Sequence, residues 1–268
     1  MYLDAHVHSA ASPDSEQDPV DVINTLQKMS LGVVFTEHAD FVTPTLGKDE
    51  TATDSPDIPT DFICDFDIYP AQYRRYRSDS VFLGIELALN AAFLPLNSQT
   101  ADNDYDFVIG SVHYVDGYDI YSGAAEMDAE SFCRRYLTYS KEMVELCGFF
   151  DALGHIDYVA RYSPAIDKLF YYKNFPAEFD ALFSSLAERG LALEINTARF
   201  GNNNVIKQLL PMYKRFRALG GRYVTIGSDA HFEWALGQYH AQAVELAAMA
   251  GLTLVYYKER KLHVCTAN

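Results

Sequence analysis

The chain opens on Leu3-Asp4-Ala5-His6-Val7-His8, which reads as a short buried strand carrying two imidazoles. Side chains two residues apart on an extended chain point to the same side. His6 and His8 therefore project together, and one metal ion can take both. Near the other end, Asp229-Ala230-His231 again sets two ligand-type side chains at alternate positions. Between them, runs of buried-strand character end in His38, Glu86, His113 and His155. Imidazole and carboxylate are the usual ligands of zinc, manganese and iron. Six of the eight histidines fall at strand ends, a pattern that free surface histidines on helices do not give. A carboxylate such as Glu86 behind a buried strand needs a partner, because an unpaired buried charge is costly. His240 and His263 lie off the strand ends and read as structural.

These residues need strands to deliver them, and the chain supplies strands alternating with helices. Asp18 caps a first helix with Pro19 at its first position, Val22, Ile23, Leu26 and Met29 recur at helical spacing, and Gly32 is its expected stop. Val33-Val34-Phe35-Thr36 then leads into Glu37-His38. A long stretch rich in Thr, Asp and Pro, 41–67, reads as a surface loop or lid. A helix over 69–77 precedes the strand Val81-Phe82-Leu83-Gly84-Ile85 that ends at Glu86. After an irregular stretch, 95–104, Phe107-Val108-Ile109 leads to His113. Helices are expected over 129–146, 176–188, 205–219 and 234–250, separated by strands near 151–153, 191–195 and 223–226. Two strand-like runs, 252–257 and 261–265, close the chain.

Alternation of this kind gives an α/β fold with a parallel sheet and crossover helices. An open doubly wound sheet and a closed barrel both fit it. The barrel is favoured, because an open sheet gathers its site at one switch point whereas a barrel converges strand ends from all round its rim. No linker divides the chain, so residues 1–268 are expected to form a single domain.

A formal charge of −16 argues against nucleic acid as the main partner. Bound cations can still hold a phosphate in an acidic protein. No apolar run approaches a membrane span, and the first residues lack the features of a signal peptide, so a cytoplasmic protein is expected. The four cysteines, Cys64, Cys133, Cys147 and Cys265, are scattered and read as small hydrophobes.

Five segments in order, Asp4-Ala-His6-Val-His8, Thr36-Glu-His38, Gly84-Ile-Glu86, Gly110-Ser-Val-His113 with Gly154-His155, and Gly227-Ser-Asp229-Ala-His231, resemble the PHP superfamily (polymerase and histidinol phosphatase), in particular its histidinol-phosphate phosphatases. The resemblance covers nearly the whole chain. It implies a distorted (β/α)7 TIM-like barrel of PHP type with two to three divalent ions, zinc, manganese or iron. It further implies that His6, His8, Glu86 and Asp229 hold one ion. Glu86 would bridge to a second, completed by His113 and His155, and His38, His231 and Asp14 would hold a third. Many relatives carry histidine where this chain has Asp14, and an oxygen ligand there tilts the site towards manganese or iron.

Arg161 and Arg199 stand where similar phosphatases grip a phosphate monoester, and a guanidinium can hold two phosphate oxygens at once. Asp229 and His231 are the candidates to help protonate the leaving alcohol. The activity so implied is hydrolysis of a small phosphate monoester, L-histidinol phosphate in histidine biosynthesis. The competing readings are another phosphoesterase on the same scaffold (acting on a nucleoside monophosphate, phosphotyrosine or a phosphodiester) and a degenerate barrel that only binds metal. The oligomeric state is not legible.

Overall fold

The computed structural model describes residues 1–41, 65–66, 68–123, 128–202 and 204–266. Most of the expected lid, 42–64 and 67, lies outside the described residues. Seven strands lie side by side in chain order, each parallel to the next. They are β1 (Tyr2–Val7), β2 (Leu31–Ala39), β3 (Val81–Ala88), β4 (Phe107–Ser111), β5 (Ala152–Leu153), β6 (Ala192–Asn196) and β7 (Tyr223–Gly227). The ring closes at its C-terminal end. There Val7 bridges Ala230 in parallel, the Asp229 amide donates to the His6 carbonyl at 2.8 Å, and the His8 amide donates to the Ala230 carbonyl at 3.0 Å. At the other end β7 pairs with β8 (Thr253–Lys258), which turns back as the antiparallel β9 (Lys261–Val264). This is the distorted seven-stranded α/β barrel that the resemblance implies.

Several helices follow their sequence signals to the residue. Asp18 accepts from the Val20 amide and starts Pro19–Lys28, and Asp128 accepts from the Ser131 amide and starts Ala129–Leu146. Pro176–Glu188 begins on its proline.

Three expectations need correction. The stretch 95–104 is not irregular, because Leu94–Ala101 is a helix. Its buried side includes Asn97 and Thr100, and the Asn97 amide donates to the Ala88 carbonyl at 2.8 Å, so no apolar period marks it. The last long helix is His240–Ala250 and does not start at Trp234, because Gly237 and Tyr239 take φ of 62° and 56° and interrupt the chain. The first helix is stopped by Ser30 at φ 61°, not by Gly32. Gly32 lies in β2, where a Cβ would sit 2.6 Å from the Ser80 carbonyl oxygen.

The floor of the barrel is apolar. Leu3, Ala5, Val34, Phe82, Phe107, Ile109, Ala152 and Ala192 pack with Val255 and Tyr257 of the terminal hairpin. The Tyr257 ring stacks on Phe107 at 5.3 Å, and Arg260 holds Asp151 at 2.6 Å. A bulge in β1 decides what stands above this floor. Asp4 is opposite Val33 but Val7 is opposite Phe35, so β1 spends one residue more than β2. Leu3 and Ala5 face the floor below the bulge, while above it Val7 joins the outer core. His6 and His8 are thereby turned into the barrel mouth.

Candidate metal centre

Three groups of ligand atoms converge at the C-terminal rim. In the first, His6 Nε2 lies 3.4 Å from both Glu86 Oε2 and Asp229 Oδ1, and His8 Nε2 lies 3.5 and 3.3 Å from the same atoms. In the second, Glu86 Oε1 is 3.3 Å from His113 Nε2 and 2.8 Å from His155 Nε2. Glu86 thus turns one oxygen to each group. In the third, Asp14 Oδ2 is 3.4 Å from His38 Nε2 and 3.2 Å from His231 Nε2. His8 stacks on both of these imidazoles at 4.1 Å. The structure brings together all nine side chains that the resemblance proposes as ligands.

A second layer of acceptors orients the rings. His6 Nδ1 meets Glu194 at 2.7 Å, His113 Nδ1 meets Asp40 at 2.6 Å, and His231 Nδ1 meets the Asp229 carbonyl at 3.0 Å. When Nδ1–H is given to such an acceptor, the Nε2 lone pair is left facing inward. Three pairs of Nε2 atoms then face each other: His6 with His8 and His38 with His231 at 3.1 Å, and His113 with His155 at 3.3 Å. Two such nitrogens that close need a proton or a metal cation between them. Glu86 Oε2 is also buried, and among the described residues it has no well-aligned hydrogen bond, although His38 Nδ1 approaches it at 2.9 Å. Both observations fit a site built for divalent ions.

The charges tell the same story. Burial works against an ionised Glu86, yet His6, His113 and His38 outweigh it and hold the carboxyl well below its usual range. Burial works against a charged His113, yet Asp40 and Glu86 push it up to about 10. His6 is raised in the same way against burial, by Glu194, Glu86 and Asp229. His8 goes the other way, because burial is joined by repulsion from His231 and His38. For Asp14, burial is overcome by the hydrogen bonds of His231 and His38, and the carboxyl lies far below its ordinary value.

Several contributors were not singled out from sequence. Asp40 carries a readable signal, because His38-Ala-Asp40 repeats the alternate spacing of His6-Val-His8. Glu194 ties two strand ends together, accepting from the His155 amide at 2.6 Å as well as meeting His6. It fits because residue 227 is glycine, whose Cβ would stand 2.3 Å from both Glu194 Oε1 and His6 Cβ. Asp4 faces outward and accepts from the Ser228 and Gly237 amides at 2.8 and 2.9 Å. It thereby braces the loop that carries Asp229, itself held at φ 57°, a conformation a non-glycine residue keeps only when its surroundings impose it. Glu37 lies buried behind the site, bonded to Ser9 and Ser12, and burial pushes it up to about 7. Asp4 stands at alternate spacing with His6 and His8 in the opening segment, whereas neither Glu194 nor Glu37 stands out by spacing.

The ligands open onto a cavity of about 460 Å³. Arg161 lines it and donates to Asp229 Oδ2 at 2.6 Å. Arg199 is not brought there. It binds Asp157 at 2.7 Å and also Asp167, on an adjoining depression that it shares with Arg161.

A C-terminal rim of imidazoles and carboxylates on a seven-stranded barrel defines a metal-site protein, and the sequence places it further. The chain belongs to the PHP domain family, whose profile matches residues 4–198. It is 31% identical over 263 residues to a Clostridium acetobutylicum protein named a probable histidinol-phosphatase, covering 97% of this chain and 98% of that one. It is 29% identical to the histidinol-phosphatase of Lactococcus lactis, covering 85% and 84% of the two chains. Among solved structures it matches the Lactococcus lactis histidinol phosphate phosphatase complexed with zinc, L-histidinol and phosphate, with a TM-score of 0.80, 26% identity and 98% of each chain covered. Among the described residues no helix is long and apolar enough to cross a membrane.

Proposed function

We propose that the whole chain acts as one catalytic domain, a metal-dependent phosphate monoester hydrolase with L-histidinol phosphate as its substrate. The observation that carries the reading is Glu86, turning one oxygen to His6 and His8 and the other to His113 and His155, beneath a cavity that also holds Arg161. The relatives named for this phosphatase support the choice of ester.

Two to three divalent ions, zinc, manganese or iron, would be held by His6, His8, Glu86 and Asp229, by Glu86, His113 and His155, and by His38, His231 and Asp14. Bound ions of this kind supply a hydroxide nucleophile at neutral pH and neutralise phosphoryl charge. The protein's own groups do the rest. Arg161 gives one nitrogen to Asp229, while its Nε and Nη2 are buried without hydrogen-bond partners among the described residues, and these donors suit two oxygens of a terminal phosphate. Arg199 would join only after leaving Asp157 and Asp167. Asp229 or His231 would pass a proton to the departing alcohol.

The test is an assay of purified protein, supplied with manganese or zinc, against L-histidinol phosphate, nucleoside monophosphates, phosphotyrosine and a phosphodiester. Preference for L-histidinol phosphate and at least two bound ions per chain are expected. Negligible turnover of it beside brisk turnover of another ester would overturn the assignment.

A further inference from the structure

We propose that Asp119, with the rings of Tyr121 and Tyr162, forms a seat for a positively charged planar group on the alcohol side of the ester. The inference rests on the phosphatase reading above and says which residues choose the substrate. One wall of the cavity is a chain of aromatic contacts rising from the ligands. Tyr158 packs on His155 at 4.8 Å and on His113 at 4.9 Å, Tyr162 packs on Tyr158 at 5.1 Å, and Tyr121 meets Tyr162 edge-on at 4.9 Å. Among the described residues Tyr121 ends the chain of rings, and it is 68% exposed, so one of its faces is open to a ligand.

Asp119 lines the same wall. The other carboxylates lining the cavity each have a cationic or imidazole partner: Asp14 has His38 and His231, Asp40 has His113, and Asp229 has Arg161. Among the described residues Asp119 accepts only from the Tyr121 amide at 2.9 Å and the Ser122 hydroxyl at 2.8 Å. No described residue therefore compensates its charge, on the wall of a cavity that must admit a phosphate dianion. A neutral alcohol would leave that repulsion standing. A cationic heteroaromatic ring removes it, and stacks on tyrosine as cations do. An imidazolium has both properties.

The test compares wild-type, Asp119→Asn and Tyr121→Ala proteins, all metal-loaded, with L-histidinol phosphate and 4-nitrophenyl phosphate. Asparagine is as good a cap as aspartate, so Asp119→Asn keeps the local turn and removes the charge. The ratio of kcat/KM for L-histidinol phosphate to that for 4-nitrophenyl phosphate is expected to fall about ten-fold in Asp119→Asn, the scale of one lost charge-assisted contact. Tyr121→Ala is expected to lower it less. Calorimetric Kd for L-histidinol is expected to rise in parallel with the ratio. A variant ratio and Kd within two-fold of wild type, in an enzyme that prefers L-histidinol phosphate, would overturn the seat alone. A wild-type enzyme that ignores L-histidinol phosphate while hydrolysing other esters would overturn the functional reading and the seat with it.

Discussion

The two ends of the barrel are made from the same strands and carry opposite chemistry. At the floor, inward positions hold Val34, Phe82, Phe107 and Ala192, sealed by Tyr257 of the terminal hairpin. A few residues further along the same strands, the inward positions hold His38, Glu86 and Glu194, buried and within bonding reach of other titratable groups. The floor gains from burial of apolar area. The rim packs charge against charge, which costs stability unless something neutralises it. The difference teaches that the rim gathers side chains able to hold metal and the floor holds the strands that present them.

This contrast can be broken at either end. Glu86→Gln removes the carboxylate that both main groups share. It is expected to lower activity by about a thousand-fold or more, on the scale of losing metal-assisted catalysis, with metal content falling and the far-ultraviolet circular dichroism unchanged. If this variant keeps its metal and its rate, the rim is not built around Glu86. Phe107→Ala at the floor should do the reverse, costing about 3–5 kcal/mol in denaturant unfolding while the folded fraction keeps its metal.

The two arginines give a finer comparison. Arg161→Ala is expected to lower kcat/KM by about a hundred-fold without loss of metal, the scale of a lost oxyanion donor. Arg199→Ala, outside the cavity, is expected to lower it less, through a raised KM or a lowered kcat. Equal effects would place both on the phosphate.

The smallest effect expected is on pH dependence. His113 is held at about 10 against its ordinary 6.5. A raised value means that the fold favours the protonated ring, so its contribution is full below pH 6.5 and is lost as pH rises through 10. Metal-stripped protein is therefore expected to lose Tm over that window. Metal-loaded protein should show a flatter profile, because a ligating imidazole has already given up its proton. Identical profiles with and without metal would detach His113 from the site.

Much of this was legible in the residues, because period and spacing survive folding. His6-Val-His8 and Asp229-Ala-His231 each point two side chains one way in any extended chain, and His38-Ala-Asp40 could have been read by the same rule. Helix Leu94–Ala101 was not legible, since its buried Asn97 and Thr100 mask the period. Nor was the start of His240–Ala250, set by left-handed backbone at Gly237 and Tyr239.

What the sequence determined by itself was the alternation of strand and helix, and the ligand types waiting at the strand ends. Only the tertiary structure decided how those ends meet. The bulge between Asp4 and Val7 reverses the inward face of β1 between floor and rim, because an extra residue shifts a period of two by half. Closure through Val7 and Ala230 brings residues more than two hundred positions apart to one pair of hydrogen bonds. Asp4 and Glu194 then fix what the closure delivers, in bracing roles that no local pattern reveals, because such a contact depends on where two distant strands come to lie.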